Sequence, residues 1–218
     1  MDDPKFIDAI ATVKDIDVEK IAATVLKAPD FIETLCDALL SKNETFRYNA
    51  SKVLSHISKK EPHRLIHRWD FFVSQLKSEN TYHKLSACHI IANLTRIDDN
   101  KRFDEIFSLY FDLLDDKSMV TACYIARNAG TIARHKPYLQ EKITQHLLDI
   151  ESTHHHPERR DLIKSDIIQS FREYYDEYPD KKKILNFVRN QRDCASPKTR
   201  KAAKQFLEDF SDKDEKQA

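Results

Sequence analysis

Three rows of mostly polar side chains recur along the chain at nearly constant spacing. His56, Asn93 and Asn128 form one row. Lys52, His89 and Tyr124 form a second, and Ser55, Ala92 and Arg127 a third, with Lys59, Arg96 and Arg134 nearby. Amide, imidazole and cationic groups donate hydrogen bonds and pair with negative charge. Such rows suit an acidic or hydrogen-bonding partner, for example a protein or peptide segment. His56, Lys59, Asn93, Arg96, Arg127 and Asn128 are the candidate contact residues.

Other groups invite chemistry and carry less of it. His154, His155 and His156 are consecutive, with His135 and His146 upstream. Zinc needs ligands that converge, and three adjacent histidines in a loop rarely do so; the run reads as a His-rich loop, with no metal site expected. Cys36, Cys88, Cys123 and Cys194 lack CxxC spacing, and three of them fall beside core positions of helices. They read as free thiols in a reducing cytoplasm. No Ser/His/Asp or Cys/His set has a local signature, so no catalytic residue and no cofactor is assigned. Cations gather near the C-terminus at Lys181, Lys182, Lys183, Arg189, Arg192, Arg200, Lys201 and Lys204, a possible phosphate contact. An acidic stretch (Glu208, Asp209, Asp212, Asp214, Glu215) follows at once. A polar end cap explains the cluster as well, so nucleic acid stays open as a partner.

These rows need elements that hold them in register, and the apolar pattern supplies them. Ala50 precedes Val53, Leu54 and Ile57; Ala87 precedes Ile90, Ile91 and Leu94. Ala122 precedes Ile125, Ala126 and Ala129; Ala203 precedes Phe206, Leu207 and Phe210. Apolar residues three, four and seven positions after a small one mark the buried stripe of a helix. The alanine lets a neighbouring helix approach closely. Their recurrence, with a further apolar helix before each, indicates two-helix repeats.

The repeats read as Asp30–Ser41 with Thr45–Ser58, His63–Lys77 with Thr81–Thr95, and Lys101–Leu114 with Ser118–His135. A fourth starts at Pro137 and contains a polar loop from Ser152 to Arg160. Its second helix then carries Leu162, Ile163, Ile167, Phe171 and Tyr174 inward. A fifth pairs Lys181–Gln191 with Pro197–Phe210. Two shorter helices precede them. One has Phe6, Ile10 and Val13 on its stripe; the other is capped by Asp17 and ended by Ala28-Pro29.

Composition agrees. Of the 218 residues 40% are hydrophobic and 33% charged, which suits a folded chain. Gly130 is the sole glycine, too few for hairpin turns, and Gly-rich phosphate loops are excluded. The 36 acidic and 36 basic side chains balance, so attraction to polyanions could come only from local patches. The sequence lacks 18 consecutive apolar residues, so no membrane contact is expected, and Met1–Lys5 lacks the basic and apolar start of a secretory signal.

The two-helix unit, the turn before its second helix and the small-then-aliphatic pattern resemble HEAT repeats, within the armadillo-type α-solenoids. The resemblance spans residues 30–210. It implies an all-α, right-handed α-α superhelix of about five hairpins, with residues 1–29 as an N-terminal helical cap and 211–218 as a flexible polar tail. It also implies that the second helices line the concave face, where the polar rows would sit. Repeat four departs from the pattern, with Ser165 or Asp166 where alanine would fall, so its register stays open. The resemblance points to a non-enzymatic protein-binding scaffold. Similar proteins of this length include bacterial glycosylases that excise alkylated bases with a tryptophan, a carboxylate one turn further along the helix, and an arginine. Here Trp69 is followed one turn on by Val73, while Asp70 points elsewhere. Nucleic-acid binding or glycosylase-like repair is therefore the alternative.

Overall fold

Short polar side chains start the helices. In a computed structural model, which describes residues 4–28 and 30–214 and places side chains for 7–28 and 30–210, an Asp17 carboxylate oxygen accepts from the Lys20 N–H at 3.0 Å. Asn43 accepts from Phe46 N–H at 3.1 Å, and Asn80 from Tyr82 N–H at 2.9 Å. Each satisfies an N–H that the helix cannot. The chain divides into two units, Met1–Phe103 and Asp104–Ala218.

The first unit holds α1 (Pro4–Thr12), α2 (Val18–Lys27), α3 (Asp30–Ala38), α4 (Glu44–Lys60), α5 (Trp69–Leu76) and α6 (Thr81–Leu94). Helices α3 with α4, and α5 with α6, are the first two hairpins, and α4 packs beside α6. Ala50 and Ala87 are both fully buried, with Val53, Leu54, Ile57, Ile90, Ile91 and Leu94 around them. Both α1 and α2 pack on α4. Asn49 of α4 fixes this contact, donating from Nδ2 to the carbonyls of Ile10 (2.8 Å) and Val13 (2.7 Å) at the end of α1.

Helix α7 (Arg102–Phe111) crosses the boundary and leads into the second unit. There follow α8 (Met119–His135), α9 (Gln140–Leu148), α10 (Pro157–Phe171), α11 (Lys181–Arg189) and α12 (Pro197–Asp214). Helix α10 is buried between α8 and α12. Gly130 permits the first contact. A Cβ built there would meet the Ser170 carbonyl oxygen at 2.5 Å, Ser170 Oγ at 2.9 Å and Ser170 Cα at 3.0 Å. The two backbones are thus closer than any side chain allows. Ala122 and Ala203 are buried, as are Ile125, Ile163, Ile167, Phe171, Phe206 and Phe210.

Among the described residues the elements are helical and contain no strand. Several details differ from the sequence reading. The helix expected from His63 begins as two 3₁₀ turns, Pro62–Arg64 and Ile66–Arg68. Leu65 between them has φ −114° and drops a fully buried side chain into the core, which interrupts α-helical winding. Helix α10 starts at Pro157, inside the segment expected to be loop, because Pro suits a first helical turn. Val13 lies past the end of α1 and Leu162 near the start of α10; they are 46% and 39% exposed, not inward. Helix α12 continues through Asp214, into the segment expected as tail. The Phe6 side chain, Pro29 and residues 215–218 lie outside the described residues.

Candidate functional site

Helices α4 and α6 share a polar face. Along α4 the positions 48, 52, 56 and 59 recur every three or four residues, and along α6 so do 82, 86, 89 and 93, with 96 following in the Thr95–Ile97 turn; such spacing puts each helical set on one stripe. The stripes are tied together. Ser51 Oγ and Ser86 Oγ lie 2.8 Å apart, and Asn93 Nδ2 donates to Ser58 Oγ at 2.9 Å. Asn93 Nδ2 also lies 3.4 Å from His89 Nε2.

The N-terminal end of this face is aromatic. Tyr48 and Tyr82 are 58% and 60% exposed, large for rings of their size. The Lys52 ammonium sits 4.3 Å from the centroid of the Tyr48 ring, and the Arg47 guanidinium 5.0 Å from that of Tyr82. Lys59 and Arg96 are exposed at the opposite end, and His56 is half-buried. Helix α4, α6 and the Thr95–Ile97 turn carry Arg47, Lys52, Lys59, Lys60 and Arg96 exposed or half-buried, and Lys84 buried, against a single carboxylate, Glu44. A chain with no net charge thus concentrates cations on these elements. Four of the sequence-derived contact residues, His56, Lys59, Asn93 and Arg96, belong to this unit.

The remaining two lie in the second unit and are placed differently. Arg127 of α8 donates from Nε (3.2 Å) and Nη2 (2.9 Å) to one oxygen of Asp166 on α10. Lys198 of α12 approaches the same carboxylate at 3.4 Å. Asp166 is one of the two residues, with Ser165, at which repeat four lacks its alanine, and its side chain is only 7% exposed. One carboxylate therefore links three successive second helices. Burial, reinforced by Asp166, pushes the neighbouring Cys123 thiol up to about 11. Asn128 is 5% exposed and turns back to donate to the Tyr124 carbonyl at 2.8 Å, so its side chain lies beneath the surface. A short amide in a helix readily reaches the carbonyl four residues back.

The C-terminal cations are dispersed. Lys183 pairs with Glu141 at 2.6 Å, and Lys204 approaches Glu208 at 3.8 Å. Arg200 donates to the carbonyls of Cys194 and Ala195. Lys182, Arg189, Arg192 and Lys201 are exposed, and Lys181 lies 5.3 Å from the Tyr175 ring centroid.

Trp69, Asp70 and an arginine do come together, a grouping the spacing of Trp69 and Val73 did not suggest. Arg102 pairs with Asp70 at 2.6 Å, and its guanidinium lies 5.3 Å from the Trp69 ring centroid. Trp69 is 2% exposed, so its ring packs in the core and presents no face to a nucleobase.

The histidine run is not simply loop. His154 is exposed and approaches Asp115 at the end of the Asp112–Asp115 turn, while His155 is 3% exposed and His156, preceding α10, is exposed. Sequence reasoning missed Asp115. The available signal was its separation from His154 by about one repeat, the spacing at which neighbouring repeats touch.

Against known proteins, no family model matches the chain, and no curated protein matches it in sequence. Solved structures do. A designed armadillo repeat protein in complex with the peptide (KR)4 superposes with a TM-score of 0.62 at 16% identity, covering 94% of this chain and 90% of that one. A second designed armadillo repeat protein gives a TM-score of 0.58 at 15% identity, covering 93% and 89%. With the all-helical hairpins, these likenesses establish an armadillo/HEAT-like α-solenoid fold. No helix among the described residues is long and apolar enough to cross a membrane.

Proposed function

We propose that the protein is a non-enzymatic scaffold that binds an acidic segment of another protein along the shared face of α4 and α6. The observation that carries this reading is the concentration of five exposed or half-buried cationic side chains (Arg47, Lys52, Lys59, Lys60 and Arg96) and two exposed tyrosines on these elements against one carboxylate. Lys59 and Arg96 would meet carboxylates, His56 and Asn93 would donate hydrogen bonds, and Tyr48 and Tyr82 would provide apolar area. The hydrogen bonds between Ser51 and Ser86, and between Asn93 and Ser58, hold the two stripes in register before a partner arrives, which lowers the ordering cost of binding. A solved structural neighbour in complex with a peptide supports this mode. The peptide in that complex is basic, so the charge preference proposed here rests on this chain's own residues. Four unbridged thiols, two of them buried, suit a cytoplasmic setting.

The test is fluorescence anisotropy with a labelled octapeptide of alternating Glu and Asp, with (KR)4 and a single-stranded oligonucleotide as competitors. The acidic peptide should bind, and the double variant Lys59→Glu/Arg96→Glu should weaken it at least tenfold with an unchanged helical CD spectrum. Unaltered binding in the double variant refutes this face. Preferential binding of the oligonucleotide, falling steeply with salt, would favour the nucleic-acid reading.

A further inference from the structure

We propose that Asp115, His154 and His155 form a binding site for a divalent transition-metal ion of the zinc type. The inference is independent of the peptide face, which lies in the other unit.

Each of the three residues offers a donor atom, and these atoms all lie within 4.8 Å of one another. The donor set is two imidazoles and one carboxylate, a combination that suits zinc and its neighbours better than calcium or magnesium. Asp115 comes from the turn after α7, and the histidines from the segment that precedes α10. The two segments are fastened together without any ion. His154 N–H donates to Asp115 Oδ1 at 2.7 Å, and His154 Nδ1 lies 2.5 Å from the same oxygen. Thr153 Oγ1 donates to the Ile150 carbonyl at 2.7 Å, which fixes the approach to the histidines. The site is thus held by the fold rather than by a free loop.

His155 supplies the second observation. Its Nε2 lies 3.0 Å from the Leu114 carbonyl oxygen. A carbonyl can only accept, so Nε2 carries the proton and the neutral ring keeps its lone pair on Nδ1. That Nδ1 is buried and has no hydrogen-bond partner. A buried acceptor left unpaired is destabilising, and a metal ion is a group that would use it. A backbone carbonyl that holds the far side of a histidine ring is the outer support found around metal-ligating histidines, since it fixes tautomer and orientation. The two rings lie with centroids 4.5 Å apart and planes inclined by 35°, so adjacent histidines here converge on one region instead of diverging. Three protein ligands would leave a further coordination position for water or an anion.

The experiment uses the full chain without an affinity tag, stripped with chelator and titrated with Co²⁺ while visible absorption is recorded, followed by displacement with Zn²⁺. One equivalent should bind, with d–d bands from a site of low coordination number. Asp115→Asn and His154→Ala should each weaken binding at least tenfold; both residues are exposed, so the helical CD spectrum should persist. His156→Ala should bind like the wild type. A synthetic peptide spanning 150–158 carries the histidine run without Asp115. Wild-type affinity no better than that peptide's, or binding unaffected by Asp115→Asn, overturns the site.

Discussion

Replacing Gly130 with alanine tests how closely α8 and α10 approach. The added Cβ would stand 2.5 Å from the Ser170 carbonyl oxygen. An ordinary carbon–oxygen contact needs about 3.3 Å, so the helices must part locally by about 0.8 Å. The obstructing atom belongs to a backbone and cannot rotate away. A backbone obstruction puts the overpacking cost at the upper end, about 2–3 kcal/mol, while alanine in place of glycine within a helix returns about 1 kcal/mol. The expected net loss is about 1–2 kcal/mol, or a fall in Tm of about 2–8 °C for a chain of this size. Differential scanning calorimetry on the full chain measures it. Ser170→Ala is the informative background. Ser170 Oγ is buried without a hydrogen-bond partner, so removing it should be neutral or stabilising. It leaves the carbonyl in place, so Gly130→Ala should remain destabilising in that background. An unchanged or raised Tm for Gly130→Ala, or full rescue by Ser170→Ala, would refute the backbone-contact argument.

Two further outcomes are expected. Asn49→Ala removes both donors to the Ile10 and Val13 carbonyls and should cost about 1–3 kcal/mol, seen as faster amide exchange in α1 with little change in α5. His83 is held below its ordinary pKa of 6.5, by burial first and then by the Arg47 charge. The unfolded chain therefore binds this proton more readily than the folded one. Stability from His83 is fully present above pH 6.5 and is lost as pH falls from 6.5 toward the folded value. Urea denaturation between pH 7.5 and about 5 should show a decline that is shallower in His83→Asn, the amide taking the place of Nδ1 beside Ser78.

Helical repeats were legible because burial at Ala50, Ala87, Ala122 and Ala203 repeats with the apolar positions after it, and apolar periodicity reports burial directly. Repeat four resisted for a physical reason. Its second helix buries Lys164, Ser165, Asp166 and Ser170, and polar burial depends on partners that sit elsewhere in the chain. Arg127 illustrates the same limit in the site. Periodicity set it in a row with Ser55 and Ala92, yet only the fold reveals the Asp166 carboxylate beneath it. Asn93 and Asn128 occupy matching positions in sequence, but one bridges to Ser58 while the other folds back on its own helix. Asp115 went unseen because its role depends on two histidines one repeat later. Residues whose task is set by one local stripe could be read; those set by a partner in another repeat could not.

The Arg127–Asp166–Lys198 linkage bears on how this array could change over evolution. Solenoids commonly grow or shrink by duplicating or losing whole units, because each interface resembles the next. Here a single carboxylate serves both flanking helices at once. Excising the hairpin that bears it would leave Arg127 facing Lys198, and inserting one beside it would part Asp166 from a cation. Gain or loss of a unit at this place therefore forfeits an ion pair that an ordinary repeat boundary would not.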